Sequence, residues 1–220
     1  MTPDEVYQRV LIQLQANGTT DAIKTSKDRV AVTYNKVQNQ LLELFIERKK
    51  DDDLRYIQEV SILGQKLKRD KSESNRDIFA LPKDFFDFID LEATASNESC
   101  SKQRIHLDEI KGQNKSSLLT DTFTKPSFKF RESLYQISQN SVHIYKEGFS
   151  IDTLELDYYK YPTQIELENP SNPESVFILK QLQFDDKLIN KIITLTSSAL
   201  MLNGDDPKYQ ALKQEIINKI

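Results

Sequence analysis

A change of hydrophobic period constrains this chain more than any other feature. From Leu81-Pro82-Lys83-Asp84-Phe85 to Leu154, Leu156, Tyr158, Tyr159 and Tyr161-Pro162, apolar residues alternate or cluster in short runs rich in β-branched and aromatic types. In the flanking segments they recur at spacings of three and four. Period two sends successive side chains to opposite faces of a strand, whereas spacings of three and four keep them on one face of a helix. The sequence therefore predicts an α+β protein, a helical bundle formed by N- and C-terminal helices with an inserted antiparallel β-sandwich or barrel. The expected division is residues 1–77 as N-terminal helices, 78–162 as the inserted β-domain, and 163–220 as a connector and C-terminal helices completing the helical domain.

Thr2 as N-cap, Pro3 at the first helical position and Asp4 and Glu5 in the first turn start a helix carrying Val6, Val10 and Leu14 on one face. Asn17-Gly18 ends it. Thr25 or Ser26 caps a longer helix with Val30, Tyr34, Val37, Leu41 and Leu44 in one stripe, widened by Leu42 and Phe45. Asp51-Asp52-Asp53 caps a short helix through Leu54 and Ile57, and the stretch from Ser61 to Lys68 leans towards strand. The polar run from Arg69 to Asp77 has no apolar residue and is expected to be a loop. Near the C-terminus, Asp185 or Asp186 caps a helix bearing Leu188, Ile192, Leu195, Ala199 and Leu202, all expected to be buried. Asn203-Gly204 then Asp206-Pro207 reverse the chain into a terminal helix with Tyr209, Leu212, Ile216 and Ile220 on one side.

Candidate strands run from Phe85 to Ala95, Arg104 to Ile110, Phe128 to Ile137, Ser141 to Lys146 and Ile151 to Tyr161. Turn pairs such as Gln139-Asn140 and Glu147-Gly148 separate them. The stretch from Lys115 to Thr120 is read as one helical turn before Pro126. Within the last strand, Leu154 and Leu156 are expected to face the interior, with Glu155 and Asp157 outside.

Hydrophobic residues make up only 38% of the chain and charged ones 29%, and the mean hydropathy is −0.58. Much of the surface must therefore face water or a polar partner, which suits an elongated subunit. A net charge of −4 argues against a protein whose main task is neutralising phosphates. The basic clusters Arg48-Lys49-Lys50 and Lys66, Lys68, Arg69, Lys71 sit beside Asp51-Asp52-Asp53 and Asp70, and read as solvated faces. The single cysteine, Cys100, excludes an intrachain disulfide and a Cys-rich zinc site. The N-terminus lacks the pattern of a signal peptide, and no apolar run approaches a membrane span, so no membrane role is expected.

No catalytic constellation stands out. His106 and His143 lie in predicted strands with no Cys or second His nearby, and Ser99-Cys100-Ser101 reads as a loop without a His to activate the thiol. Consecutive aspartates do not make the alternating ligand set of a calcium loop, so Asp51-Asp52-Asp53 reads as a cap. The five glycines are scattered and form no phosphate-cradling loop. The rings of Phe85, Phe86, Phe88, Phe123, Phe128, Phe130, Tyr135, Tyr158, Tyr159 and Tyr161 read as filling for a small β core rather than a sugar-stacking platform. Neither an enzyme nor a cofactor is expected.

The order of motifs resembles a known family. Two N-terminal helices are followed by Leu81-Pro82-x-Asp84-Phe85, the segment Leu118-Leu119-Thr120-Asp121-Thr122-Phe123-Thr124-Lys125-Pro126, the strand Val142-His143-Ile144-Tyr145, the strand from Leu154 to Pro162, and Phe184-Asp185-Asp186 before an amphipathic helix. This layout is similar to head-to-tail connector (ring, neck or adaptor) proteins of short-tailed bacteriophages, with the nearest likeness to ring proteins of crAss-like phages. The resemblance implies a virion protein made in the host cytoplasm, a subunit of a twelve-fold ring beneath the portal that extends the DNA channel and offers a platform for the tail. Its implied partners are further copies of itself, the portal and other neck or tail proteins, with genomic DNA passing through without sequence-specific binding. Helices would build the ring wall, and Val30, Tyr34, Val37, Leu41, Leu44, Leu188, Ile192, Leu195, Tyr209, Leu212 and Ile216 are the expected helix-packing or inter-subunit residues. Two other readings stay open: a cytoplasmic carbohydrate- or peptide-binding module using the aromatic-rich β-insert, and a metal-dependent enzyme assembled from scattered carboxylates.

Overall fold

The computed structural model describes residues 1–16, 25–48, 54–111, 115–169, 175–178, 180, 182–201, 211 and 214–215. The chain is α+β and divides into two units, Met1–Val60 with Tyr161–Ile220, and Ser61–Lys160. Among the described residues the helices are α1 (Pro3–Ala16), α2 (Lys27–Arg48), α3 (Lys115–Thr120) and α4 (Asp186–Met201), with a 3₁₀ turn at Gln58–Val60. Its strands are β1 (Ser61–Lys66), β2 (Arg69–Ser72), β3 (Arg76–Ala80), β4 (Phe85–Asn97), β5 (Cys100–Glu109), β6 (Glu132–Ser138), β7 (Ser141–Tyr145) and β8 (Ser150–Lys160).

The first unit is helical, and its helices begin where side chains satisfy the first free amides. Thr2 and Glu5 form a capping box, the Glu5 amide donating to Thr2 Oγ1 at 3.3 Å and the Thr2 amide to Glu5 Oε2 at 2.8 Å. Ser26 Oγ accepts from the Arg29 amide at the start of α2, and Asp185 Oδ1 from the Leu188 amide at the start of α4. Helices α1 and α2 both contact α4. Val6, Val10 and Leu14 of α1 are buried, as are Val30, Tyr34, Val37, Leu41, Leu42 and Phe45 of α2 and Leu188, Ile192 and Leu195 of α4. Arg9 donates to Asn190 at 2.8 Å along the α1–α4 contact. Thr196 and Ser197 are buried in α4 because each hydroxyl returns its proton to the carbonyl four residues back.

The second unit is a single curled sheet in the order β1-β8-β4-β5-β6-β7-β3-β2. It is mixed, which departs from the expected antiparallel sandwich or barrel: β5 runs parallel to β6, from His106 opposite Glu132 to Glu109 opposite Tyr135. The curl has a simple cause. The two outer strands, β1 and β2, are separated only by Leu67 and Lys68, so the ends of the sheet cannot lie apart. The Leu67 amide donates to the Leu154 carbonyl of β8, and the Lys68 carbonyl accepts from the Ala80 amide at the end of β3. On the opposite side β5 changes partner mid-strand, lying against β4 from Cys100 to Ile105 and against β6 from His106 onward. One core fills the curl, built from Phe79, Leu91, Ala93, Ala95, Ile105, Tyr135, Val142, Ile144, Ile151, Leu154, Leu156 and Tyr158.

Several expected boundaries shift. The polar run from Arg69 to Asp77, expected as a loop, supplies β2 and the start of β3. Cys100 opens β5 rather than sitting in a loop. Phe128 to Arg131 is not strand; β6 begins at Glu132, after Arg131 takes a left-handed φ of 59°. Ala199 is half-buried rather than buried. Gly18, Asp51-Asp52-Asp53, Leu202, Asn203-Gly204, Asp206-Pro207 and the stripe residues Tyr209, Leu212, Ile216 and Ile220 lie outside the described residues.

Leu154 and Leu156 are 1% and 0% exposed, whereas Glu155 reaches Lys66 across the β1–β8 pair at 3.8 Å. Leu156→Asp should destabilise the β-unit by roughly 4 kcal/mol or more, because it buries an unpaired charge, and Glu155→Lys by less than about 1 kcal/mol. Denaturant melts of the two variants check this; equal losses would show the strand register to be wrong.

Candidate functional site

The helix-packing residues assigned from sequence separate by position. Val30, Tyr34, Val37 and Leu41 on α2 and Leu188, Ile192 and Leu195 on α4 are buried within the helical unit, and Leu44 is half-buried. Two polar residues on α2, absent from the sequence expectation, turn out to fix the chain after β8. Asn35 both donates to the Ile165 carbonyl and accepts from the Ile165 amide, each at 2.9 Å, and buried Gln38 donates to the Thr163 carbonyl at 3.2 Å. An amide side chain at each position satisfies backbone that no ladder pairs. Lys27 donates to the Ser175 carbonyl and lies over the Phe177 ring, which also meets Tyr7. Tyr34 stands out: it is fully buried, its hydroxyl has no hydrogen-bond partner among the described residues, and burial pushes its pKa up.

In the β-unit a wedge opens where β5 leaves β4. It is a cavity of about 660 Å³ lined by Asp90 and Glu92 of β4, Arg104 and His106 of β5, and Phe130 and Arg131 before β6. Glu92 and Arg104 pair across its lips, and His106 meets Asp108 at 3.3 Å. Behind it, Phe88 stacks on Tyr135 with centroids 5.8 Å apart. Burial, with Glu109 and Asp90 nearby, pushes the Tyr135 hydroxyl up to about 12.

Most of the aromatic group is structural. Phe85 stacks on Tyr158, Phe128 packs against Phe149, and Tyr158 also donates to Asp84 at 3.1 Å, so that burial and this bond push it up to about 12. The exceptions are Phe130, 68% exposed at the wedge, Phe123, 90% exposed beside a smaller cavity with Leu118 and Glu132, and Tyr161, 47% exposed. His143 is held below its ordinary pKa by partial burial and by Arg76 and Lys115. Its Nε2 lies 3.1 Å from Ser141 Oγ. Cys100 is half-exposed and accepts from Gln103.

A buried ion pair that the sequence did not reveal lies under the curl. Asp77, fully buried on β3, accepts from Lys146 at 2.7 Å and from Ser72, and Lys146 also donates to Ser72 at 3.0 Å. The second oxygen of Asp77 faces the Ile151 amide at 3.4 Å. Every charged atom here has a partner, which is the condition for burying such a pair. Outside it, Glu73 between Arg76 and Lys71 is held down to about 2.

Among the described residues no group of three or more His, Cys, Asp and Glu side chains is placed to hold a metal ion, and no helix is long and apolar enough to cross a membrane. Searches of protein-family models and of curated proteins give no match to this chain.

Two stability measurements follow from these buried polar groups. Asp77→Ala strands the Lys146 charge and should cost about 3–5 kcal/mol, and adding Lys146→Met should recover part of that loss. Additive losses in the double-mutant cycle would show that the pair does not act as a unit. Tyr34→Phe removes only an unsatisfied hydroxyl and should leave stability unchanged or raise it by about 1 kcal/mol. A loss of similar size would mean that the hydroxyl has a partner in solution.

Proposed function

We propose that this chain is a structural subunit of a phage head-to-tail connector ring below the portal, where it extends the DNA channel and provides a tail-attachment platform. The observation that carries the reading is architectural. One helical unit is made from both ends of the chain and is interrupted by a β-unit, with the motifs in the order of the connector proteins the sequence resembles. In this reading the helical unit is a bundle completed by the terminal segment after Gly204, and it forms the ring wall. It works by assembly and needs no cofactor.

Charge supports the reading. A net charge of −4 leaves a channel lining little tendency to hold phosphates, so DNA slides past without sticking. The interior of the helical unit uses up the α2 and α4 stripes, leaving surface polarity suited to a subunit that is solvated before it assembles. Ring symmetry of twelve and a place in the virion neck belong to the same proposal.

A second reading, a peptide- or carbohydrate-binding module, is favoured by one observation, the exposed Phe130 ring at the mouth of the β-unit wedge. Most other rings of the aromatic group are packed against the core, which leaves that reading a narrow platform.

The isolated chain should sediment as a monomer at micromolar concentration, because closing a heterologous ring gains from a template that sets its curvature. Mixed with the portal from the same genome, it should add a ring of density by cryo-electron microscopy, and truncation after Gly204 should weaken that addition. A stable ring without portal would overturn the template requirement, and no association with portal would overturn the connector reading.

A further inference from the structure

We propose that neighbouring copies join head to tail through their β-units, with edge strand β2 of one copy lying in the wedge between β4 and β5 of the next. The proposal rests on the connector reading for the statement that copies form a ring; the contact itself is argued from the β-unit alone.

A cyclic assembly needs two different surfaces on each subunit that fit each other, because a single self-complementary patch gives a closed dimer. The β-unit offers such a pair. Strand β2 pairs with β3 on one side only, and all four of its residues are exposed. It carries Arg69 and Lys71 against Asp70, with Lys66 and Lys68 just before it, and Lys71 also pairs with Glu73 at 2.7 Å on the exposed surface. The other surface is β4 beyond its contact with β5. Pairing between these strands runs only from Ala93 to Asn97, so Asp90, Leu91 and Glu92, which pair with β8 on their other side, line the open wedge on the side of β5. Residues 87–92 of β4 carry Asp87, Asp90 and Glu92 and no cation. A strand that docks there gains main-chain hydrogen bonds on the pattern of strand addition, and Arg69 and Lys71, with Lys68 before them, face carboxylates.

The charges also select the mode of contact. Lysines on an exposed edge strand ordinarily guard against edge-to-edge aggregation. Here they repel a second β2 while complementing the acidic stretch of β4, so like edges are kept apart and unlike ones are drawn together. On the opposite wall of the wedge, Arg131 is the group available to Asp70, because Arg104 is paired with Glu92. A nucleic acid backbone would meet Asp90 and Glu92 there, which disfavours it as the occupant.

Cross-linking between full-length single-cysteine variants tests the contact. In a Cys100→Ser background, Asp70→Cys and Asp90→Cys are mixed at high protein concentration, with and without portal, and treated with a short bifunctional maleimide. Cross-linked dimers should form between the two variants and be near background in either alone, with the yield falling as salt is raised. Lys68→Glu with Lys71→Glu on the Asp70→Cys chain should lower the yield about tenfold. Asp87→Lys with Glu92→Lys on the other chain should restore it, a rescue that misfolded variants cannot give. Equal cross-linking within a single variant, no cross-linking in any sample, or no rescue would overturn the proposal. Portal association without this cross-link would overturn the contact and leave the connector reading intact; the cross-link without portal association would do the reverse.

Discussion

The β-unit depends on one constraint, the two-residue link between the outermost strands of its sheet. Because only Leu67 and Lys68 separate β1 from β2, the edges of an eight-stranded order must be brought together, and the sheet has to curl. Curling creates an inside. It lets Phe79 of β3 and Leu156 of β8, which are far apart in strand order, share one core. It also dictates the compensation on the far wall, where β5 leaves β4 at Ile105 to run beside β6. Strands that pass from one half of a sheet to the other are how such corners are made. The wedge between β4 and β5 is therefore a consequence of closure and not an accident of side-chain packing.

The same closure explains why a fully charged pair sits inside. Asp77 and Lys146 lie on β3 and just after β7, near the free end of the sheet, where β2 covers them and Ser72 completes the network. A bond network of this kind is poor evidence for net stability, since an apolar replacement of the whole set is often as good. It does fix which partner each strand takes: a slip of β3 by one residue would turn Asp77 outward and leave the Lys146 charge buried without a counterion. Register is the quantity at stake, and the curled sheet has little other means of fixing its short end strands.

How much of this was legible follows from what each signal measures. The starts of α1, α2 and α4 were legible because apolar spacing and caps are local: Thr2 caps α1, and of the paired alternatives Thr25 or Ser26 and Asp185 or Asp186, Ser26 and Asp185 cap α2 and α4. The alternation of Leu154, Glu155 and Leu156 was legible for the same reason. Strand β2 was not, because an edge strand exposed at every position has no apolar face to alternate with a polar one. Asp77 read as loop because the partner that makes its burial tolerable is almost 70 residues away. Phe128 and Phe130 look like strand residues, yet the positive φ at Arg131 starts the strand only at Glu132. The wedge could not be seen at all, since it arises from β5 exchanging partners, a property of pairing rather than of composition.

An assembly subunit faces opposite demands on its exposed backbone. It must remain solvated before it meets its partners, yet it must offer enough unsatisfied hydrogen-bonding edge to be held once it does. Hydrophobic patches would meet the second demand and fail the first. Strand edges carrying opposite charge meet both, because water and counterions satisfy them separately while each supplies what the other lacks. In this chain the cationic stretch from Lys66 to Lys71 and the carboxylate-bearing stretch of β4 belong to strands that are not neighbours in the sheet. In the proposed contact the two stretches come from different copies, so the constraint that closes the fold would also leave open the surfaces that join them.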